Sequence, residues 1–291
     1  MNADDFLQLT GIESYYPVLL DRFLGDLGGY SYSYMAMEDF ARLDALEVRQ
    51  RVYWFEILER AHCGALTSLL RLQRWLEAMR VAAESENYLN FAAAFRGLLE
   101  AAADSRYSFG DVPRMLAIGF PVIFEAVHGR SRDLTVSPEL EDALIHFSHA
   151  RRVSKGEQAP ETHLARQMKE YITRLQGAES GPFHDAYADL CNITHPAADS
   201  ILYLLEKGQD GFIRFQPNPD DAEIRALCGG GGTVVRFCVA ETMAYAAVVL
   251  RLLNRFDLSE LHTPAADAVS LHNLPLWQEI SRLLAPSQAK H

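Results

Sequence analysis

The sequence predicts an all-α fold, a bundle of about eight helices, and three observations lead to this class. Apolar residues recur with the 3.6-residue period of an amphipathic helix along most of the 291 residues. Two of these stretches, 37–83 and 234–253, are several times longer than an ordinary strand. Only 212–215, set between a glycine and a proline, has the composition of a strand. We therefore expect a helical bundle with one small extended insert near 211–217.

Three helices are expected in the N-terminal third of the chain. Ser14 is a suitable N-cap for a first short helix, and the glycine pair at 28–29 should end it. The run 37–83 keeps a helical period that only Gly64 weakens, so this helix either spans the bundle or kinks near that glycine. The third helix covers 90–106, with its phenylalanines and leucines directed inward.

Prolines mark the helices in the middle of the chain. Pro113 should open one helix, with a kink expected at Pro121. Ser137 and Pro138 have the N-cap and first-turn chemistry that begins the next helix. A further helix is expected over 162–177, where the apolar period resumes after a polar loop.

The stretch 183–207 contains a predicted break between two helices. Four residues recur at i, i+3, i+4 and i+7 and should form one inward helix face: Tyr187, Leu190, Cys191 and Thr194. His195 continues this face. Pro196 disfavours the helical conformation at His195, so the first helix should end there. A second helix should then begin at Pro196 and end near Gly208, with a core side made of Ile201, Leu202, Leu204 and Leu205.

The C-terminal part combines a glycine run with a strongly apolar segment. The four glycines at 229–232 lack the Lys and Ser or Thr of a phosphate-binding loop, so we interpret them as a flexible turn. The segment 234–253 is nearly long enough to span a membrane, but its charged residues favour a core helix. A last short helix is expected over 277–284. The predicted organisation is an N-terminal helix with its connector, a main bundle and a C-terminal extension, covering 1–35, 36–256 and 257–291.

Composition restricts the function classes. A net charge of −12 argues against broad, non-specific binding of a polyanion, and we expect no DNA partner. No secretory or membrane-spanning pattern stands out, and the four cysteines form no CxxC pair. These features predict a cytoplasmic protein without a metal cluster or disulfide framework.

His195 is the candidate that the sequence presents most clearly. It is expected at an inter-helix corner, beside carbonyl groups that the ending helix leaves unpaired. Such a histidine either caps the helix and has only a structural role, or it serves as an acid or base in a polar pocket.

Two Glu-x-x-His pairs and one histidine cluster are further candidates for a metal or anion site. Glu59 with His62 and Glu125 with His128 have the i, i+3 spacing of di-iron bundle ligands, and Glu100 could add a carboxylate. Chance pairs in an acidic helical protein are the alternative, and we expect no cofactor. His146 and His149 share a helix face that Arg152 follows, which indicates either an anion pocket or a polar helix end. No nucleophile-elbow or metalloprotease motif is present.

Three stretches, FRGLLEAAADSRYS, FSHARR and YADLCNITHP, together resemble the HEPN-like helical proteins over roughly 93–205. Active members of that superfamily are generally metal-independent ribonucleases that dimerise and join an arginine-and-histidine element from each chain. The resemblance implies that His195 corresponds to the family histidine and Asn192 to its polar neighbour. It also implies a homodimer, and RNA or a partner protein as ligand.

The chain departs from the family pattern where the arginine should stand, because Ala188, Asp189 and Leu190 occupy those positions. Stabilisation of a phosphate would then have to come from elsewhere, and Arg96, Arg106 or Arg152 are the candidates. The resemblance thus implies a catalytic set of His195, Asn192 and Arg96. Further binding residues are expected at Glu100, Arg106, His146, His149, Arg152 and Tyr187.

Three functions follow, in order of preference. The first is a divergent HEPN-like binding or regulatory module for protein, RNA or nucleotide, in a bacterial defence or toxin system. The second is a metal-independent endoribonuclease that uses His195. The third is a helical metalloenzyme built on the two Glu-x-x-His pairs.

Overall fold

The structure is a computed structural model that describes residues 3–25, 27–176 and 181–285. It confirms the all-α class: helices dominate, and the one sheet in the described part has two antiparallel strands. The α-helices, in chain order, are α1 Ala3–Thr10, α2 Tyr15–Leu24, α3 Met37–Ala41, α4 Leu46–Glu84, α5 Tyr88–Phe109, α6 Val112–Val127, α7 Pro138–His149, α8 Met168–Gln176, α9 Pro182–Thr194, α10 Asp199–Leu202, α11 Asp220–Leu253, α12 Pro264–Ala268 and α13 Pro275–Leu284. The strands are β1 Leu205–Lys207 and β2 Ile213–Phe215.

The chain divides into two compact units, each assembled from three segments. The first unit comprises Met1–Asp21, Leu70–Tyr107 and Gln167–Thr242, and the second comprises Arg22–Leu69, Ser108–Arg166 and Met243–His291.

The core of the first unit is built around α5, which carries Phe91, Phe95 and Leu98 fully buried. Phe183 of α9 meets Phe237 of α11 edge-to-face, with 4.9 Å between ring centroids. These contacts fix α9 on the first unit and so determine where its C-terminal end, with the candidate histidine, is placed.

The second unit uses a close approach at Gly64 of α4. The ring of Phe109 lies where a Cβ on Gly64 would be, so only glycine fits there. Phe109 also packs edge-to-face on Phe147 of α7, with ring centroids 4.8 Å apart. The glycine that was expected to weaken the long helix therefore accommodates a core aromatic ring, and α4 continues without a break to Glu84.

Several predicted element boundaries are wrong, among them the start of the long apolar helix, which begins at Asp220 and not at 234. The run 37–83 is interrupted between α3 and α4. The helix expected over 162–177 begins later: a 3-10 turn at Glu161–His163 precedes α8, and the predicted end at Gly177 lies outside the described residues. The second helix expected after Pro196 is reduced to the four residues of α10, with Ile201 and Leu202 exposed by 60% and 57%.

A further correction concerns the segment after α10. Leu205, which was assigned to the core side of that helix, instead begins β1, which pairs with β2 so that Leu205 faces Phe215 and Lys207 faces Ile213. A strand of three residues is too short to show a period, and its pairing depends on a partner eight residues away.

The four glycines at 229–232 are also not a turn, because α11 runs through them without interruption. A Cβ on Gly231 would lie 2.8 Å from Cε1 of Phe95, so the small residue allows α11 to approach α5 closely. Helix packing outweighs the low intrinsic helix propensity of glycine at these positions.

Among the described residues, the stretch Asp220–Phe256, which is α11 with the 3-10 turn that follows it, is long and apolar enough to cross a membrane by length and composition. Of its most apolar window, 67% is buried inside the protein, which is typical of the core helix that the sequence predicts.

Candidate functional site

The candidate site lies in the first unit, where α9 ends. His195 has extended backbone angles, φ −92° and ψ 163°, as expected for a residue that precedes proline. Its backbone N–H still donates to the Cys191 carbonyl at 2.9 Å, so the residue caps the helix. The predicted break at His195 is therefore confirmed. The expected inward position of its side chain is wrong, because the residue leaves the helix with extended backbone angles and its side chain is exposed.

Arg96 of α5 reaches this corner and contacts both terminal residues of α9. Its Nη1 donates to Oγ1 of Thr194 at 2.8 Å and to Nε2 of His195 at 3.3 Å. The Thr194 hydroxyl donates in turn to the Leu190 carbonyl at 2.7 Å, which leaves its lone pairs to accept from the guanidinium. An arginine 99 positions away in sequence thus stands beside the histidine.

Glu100 and Tyr187 orient that arginine. Nε of Arg96 lies 3.2 Å from Oε1 of Glu100, one helical turn further along α5. The same carboxylate oxygen accepts the Tyr187 hydroxyl at 3.3 Å. Burial, followed by its contact with Cys191, raises the pKa of Tyr187, so the phenol stays protonated and remains a donor. The Glu100 carboxylate therefore pairs with Nε of Arg96 and leaves the Nη groups of the guanidinium for other partners.

The contact with Arg96 fixes the tautomer of His195. A guanidinium can only donate, so Nε2 of the imidazole must accept and the proton of the neutral ring resides on Nδ1. Among the described residues, neither Nδ1 of His195 nor Nη2 of Arg96 has a hydrogen-bond partner. We call these two groups, with the Thr194 hydroxyl between them, the Arg96–His195 corner. It presents N–H donors to solvent, which is the chemistry that holds an oxyanion.

The remaining predicted residues of the first unit do not join this network. Asn192 is exposed on α9, one turn before the corner. Arg106 interacts electrostatically with Glu241 of α11, where burial raises the pKa of the carboxyl and the arginine opposes that rise. Three arginines were expected as phosphate ligands, and Arg96 is the one that lies beside His195 in the structure.

The histidines of α7 belong to the second unit and have local partners there. His146 is buried, and its Nδ1–H donates to the Thr162 carbonyl at 3.0 Å, which ties the helix to the following loop. His149 is exposed and stacks on His163, with 5.0 Å between ring centroids. Arg152 is exposed at the end of the same segment. This arrangement is that of a polar helix end, one of the two interpretations that the sequence left open.

The two Glu-x-x-His pairs also lie in the second unit and do not form a common centre. Both ring nitrogens of His62 are hydrogen-bonded, to Tyr32 at 2.8 Å and to Thr263 at 2.9 Å. His128 donates from Nε2 to the Phe256 carbonyl at 3.0 Å, and the Glu125 carboxylate pairs with Arg130. Within the described ranges no three His, Cys, Asp or Glu side chains are grouped as a metal site requires. The geometry therefore does not favour the metalloenzyme interpretation.

Sequence reasoning missed the role of Thr194, which it placed only on the inward face of α9. Its position directly before the His-Pro pair was the available signal, since a threonine in a last helical turn can bond back to the carbonyl four residues earlier. What the sequence could not show is that Arg96 would meet the hydroxyl.

Comparison with known proteins yields no relative: no family model, curated protein or solved structure matches the chain.

Proposed function

We propose that the chain is a binding module that holds a phosphate group of RNA at the Arg96–His195 corner. The observation that carries this proposal is the bridging position of Arg96, whose Nη1 contacts both Thr194 and His195 while Nη2 stays open. A phosphate at the corner could accept a charge-assisted hydrogen bond from Nη2 of Arg96, and Nδ1–H of the imidazole is a second donor there. Guanidinium groups suit phosphate because their N–H donors are arranged as a planar fork.

The surrounding charges set the strength of this interaction. Glu100 is paired with Arg96, and their side chains are 27% and 30% exposed, so part of the arginine charge is already balanced. Asp189 is exposed on α9, and the whole chain carries a net charge of −12. We therefore expect recognition of one or two phosphates and not tracking along a polyanion.

A second candidate function is metal-independent cleavage of RNA. The observation that favours it is that Arg96 supplies, from another helix, the arginine that the stretch before His195 lacks. It ranks second because Nε2 of His195 is occupied by Arg96 and Nδ1 carries a proton, so the resting imidazole offers no free lone pair for a general base.

The test is a fluorescence anisotropy titration of a single-stranded RNA into four proteins. These are the wild type, Arg96→Gln, His195→Ala and Arg236→Gln. Losing a charge-assisted hydrogen bond reduces the binding free energy by about 1.5–3 kcal/mol, so Arg96→Gln should weaken binding by roughly ten- to a hundredfold. His195→Ala should weaken it less, since it removes one neutral donor.

Arg236 provides the matched control. It is an exposed arginine of α11 in the same unit, so its replacement changes the net charge by the same amount. Equal loss of binding in Arg96→Gln and Arg236→Gln would show that net charge, not the corner, determines binding, and would contradict the proposal. Competition by a mononucleotide distinguishes a nucleotide site from an RNA site.

The same RNA, incubated with chelator and analysed on a gel, tests the second candidate. Binding without cleavage is the expected outcome. Cleavage that persists in chelator and disappears in His195→Ala would replace the binding function by the nuclease function.

The broader setting is also a proposal, and the sequence resemblance supports it. It comprises a HEPN-like relationship, a cytoplasmic location in a bacterium, a role in defence or a toxin system, and a homodimeric state. Each follows from the stretches that include Tyr187 to Pro196 and from the composition of the chain.

A further inference from the structure

The second unit contains an open cavity between the start of α4 and the irregular segment that leads into α3. Its volume is about 640 Å³, which is within the range of small-molecule sites. One wall is a face of α4, where Val48, Val52 and Phe55 follow one another at i, i+4 and i+7. The opposite wall is the segment 33–36, which contributes the ring of Tyr34. Both walls therefore offer apolar surface to a ligand.

The segment that forms the second wall is attached to α4 by two acidic side chains of that helix. The Met35 N–H donates to Oε1 of Glu56 at 2.7 Å. The Ser33 N–H donates to the carboxyl group of Glu59, three positions further along α4. These two bonds hold the walls of the cavity together.

Acidic side chains surround this cavity. Asp39, Glu56 and Glu260 line it, and Arg51 is the one basic residue in the described part of its lining. Three carboxylates and one guanidinium leave a net charge of −2. Arg42 also pairs with Asp39 at 3.0 Å, but their side chains are 78% and 61% exposed, so water screens that pair. The cavity should therefore attract a cation and repel an anion.

Glu59 adds a buried carboxyl group beside the cavity. It is 5% exposed, and its Oε2 has no hydrogen-bond partner among the described residues. Its neighbours Ser33, Glu56 and Glu260 all line the cavity. Burial, followed by the two glutamates, raises the pKa of Glu59 to about 7, while the Ser33 N–H and Arg60 oppose the rise. A positive charge in the cavity would offset the cost of ionising this group.

The arrangement of the acidic groups favours an organic cation over a metal ion. Within the described residues, no three His, Cys, Asp or Glu side chains are grouped closely enough to hold a metal ion. The carboxylates are instead distributed around a cavity that also has apolar walls. A ligand that matches both features carries a positive charge on an apolar body.

We propose that this cavity binds a small organic cation, an ammonium group attached to an apolar body. The ammonium lies among Glu56, Glu59 and Glu260, and the apolar body packs on Val52 and Phe55. An ammonium group donates three hydrogen bonds, so it can pair with more than one of these carboxylates. The site lies in the second unit, and the proposal does not rest on phosphate binding in the first.

Isothermal titration calorimetry with three ligands of similar shape tests the charge requirement. The ligands are 2-phenylethylamine, 2-phenylethanol and 3-phenylpropionate, each added to the full chain at pH 8. The amine should bind at least about tenfold more tightly than the alcohol, because hydrogen bonds between charged groups are the stronger ones, and the propionate should not bind. Equal affinities for amine and alcohol, or no binding of the amine up to about 10 mM, would overturn the proposal. Displacement of the amine by an equal concentration of Mg²⁺ would also overturn it, in favour of a metal site.

Two variants of α4 test the position of the ammonium. Glu56→Gln should weaken binding of the amine by about tenfold and leave the alcohol unaffected, because glutamine still accepts the Met35 N–H but has no charge. Glu47→Gln is the matched control, since Glu47 is an exposed glutamate of the same helix that does not line the cavity. Equal losses in the two variants would show that net charge alone attracts the amine, and would contradict the proposal. Arg96→Gln should bind the amine normally while losing RNA, so failure of either proposal can be recognised separately.

The contribution of Glu59 is tested by the pH dependence of binding. Its carboxyl group is protonated below about pH 7 and ionised above it, so affinity for the amine should rise by about fivefold between pH 6 and 8. Tyr32 and Tyr34 also lie near Glu59, but burial raises their pKa and they stay neutral over this interval. In Glu59→Gln the affinity should not change with pH, and circular dichroism verifies that the variant is folded. A wild-type affinity that is independent of pH, or the same rise in the variant, would overturn the placement of the ammonium beside Glu59.

Discussion

At the scale of single residues, two buried groups on α4 have pKa values that are shifted in opposite directions. His62 is completely buried, and burial lowers its pKa to about 4. Glu59, three positions earlier, is 5% exposed and has one carboxylate oxygen without a partner. Burial raises the pKa of Glu59 to about 7, although the Ser33 backbone N–H and Arg60 oppose the rise and Glu56 and Glu260 add to it.

These shifts make opposite contributions to the pH dependence of stability. The unfolded chain protonates His62 near pH 6.5 and the folded protein near 4, so this group stabilises the fold above pH 6.5 and the contribution is lost as pH falls towards 4. Folded Glu59 holds its proton up to about pH 7, whereas the unfolded residue loses it near 4.5, so its contribution is lost as pH rises through that window. Each amounts to about 3 kcal/mol, and the two largely cancel between these limits.

Replacing His62 should therefore expose the effect of Glu59. In His62→Gln, the free energy of unfolding should fall by up to about 3 kcal/mol as pH rises from 4.5 to 7, as Glu59 alone requires, whereas that of the wild type changes little. Urea denaturation at a series of pH values measures this difference. A variant whose profile runs parallel to that of the wild type would contradict the assignment of the shift to His62.

The reciprocal variant, Glu59→Gln, should show the opposite slope. Without the carboxyl group, stability should rise with pH between about 4 and 6.5, as His62 alone requires. At pH 8 the variant should be more stable than the wild type by about 1 kcal/mol, because it no longer buries an unpaired charge but leaves an amide to be satisfied. The same denaturation series measures both values, and lower stability of the variant at pH 8 would exclude the account of Glu59.

At the scale of elements, the glycines of α11 show how tertiary packing determines a helix. Gly229 and Gly230 are exposed, and a Cβ on either would meet nothing within 4 Å. Gly231 is buried against Phe95, a fully buried residue of α5. Adjacent residues of one type thus have different roles in one helix.

Alanine substitutions separate these roles. Gly229→Ala should stabilise the protein by up to about 1 kcal/mol, since alanine is the better helix former and has room. Gly231→Ala should destabilise it by about 1–3 kcal/mol because its Cβ overlaps Phe95. Thermal unfolding compares the two, and equal effects would mean that α11 and α5 do not approach closely at Gly231.

Local chemistry in the sequence predicts some elements and not others. The end of α9 follows from His195 and Pro196 alone, because proline restricts the residue before it. The continuity of α11 through its glycines depends on Phe95, which is distant in sequence, and local propensity indicates the opposite. β1 was likewise missed because its pairing with β2 is a tertiary property.

At the scale of the whole molecule, a net charge of −12 limits the proposed RNA binding to few phosphate contacts, so its affinity should depend only weakly on salt. A protein that neutralises one or two phosphates should show a slope of log K against log salt of about −0.7 to −1.4 with single-stranded RNA. Anisotropy titrations at several salt concentrations measure the slope. A value several times steeper would indicate a basic surface that tracks the RNA backbone, and would contradict recognition at one corner.

The fold class was accessible from the sequence, whereas the site was accessible only in part. Periodicity identifies amphipathic helices, and His195 at a helix end is a local feature. Arg96 and Glu100 stand four positions apart on α5, so their pairing follows from helical spacing alone. That Arg96 and not Arg106 reaches His195 depends on how α5 packs against α9, and no local pattern encodes that choice.

The most direct measurement of the central claim is the nitrogen NMR spectrum of the histidine rings, with His195 assigned by comparison with His195→Ala. The proton of the uncharged His195 ring should reside on Nδ1, because Nε2 accepts from Arg96. Addition of a nucleotide should shift the Nδ1 resonance and leave the buried His62 unchanged. A proton on Nε2, or no response of His195 to saturating nucleotide, would contradict phosphate binding at the Arg96–His195 corner.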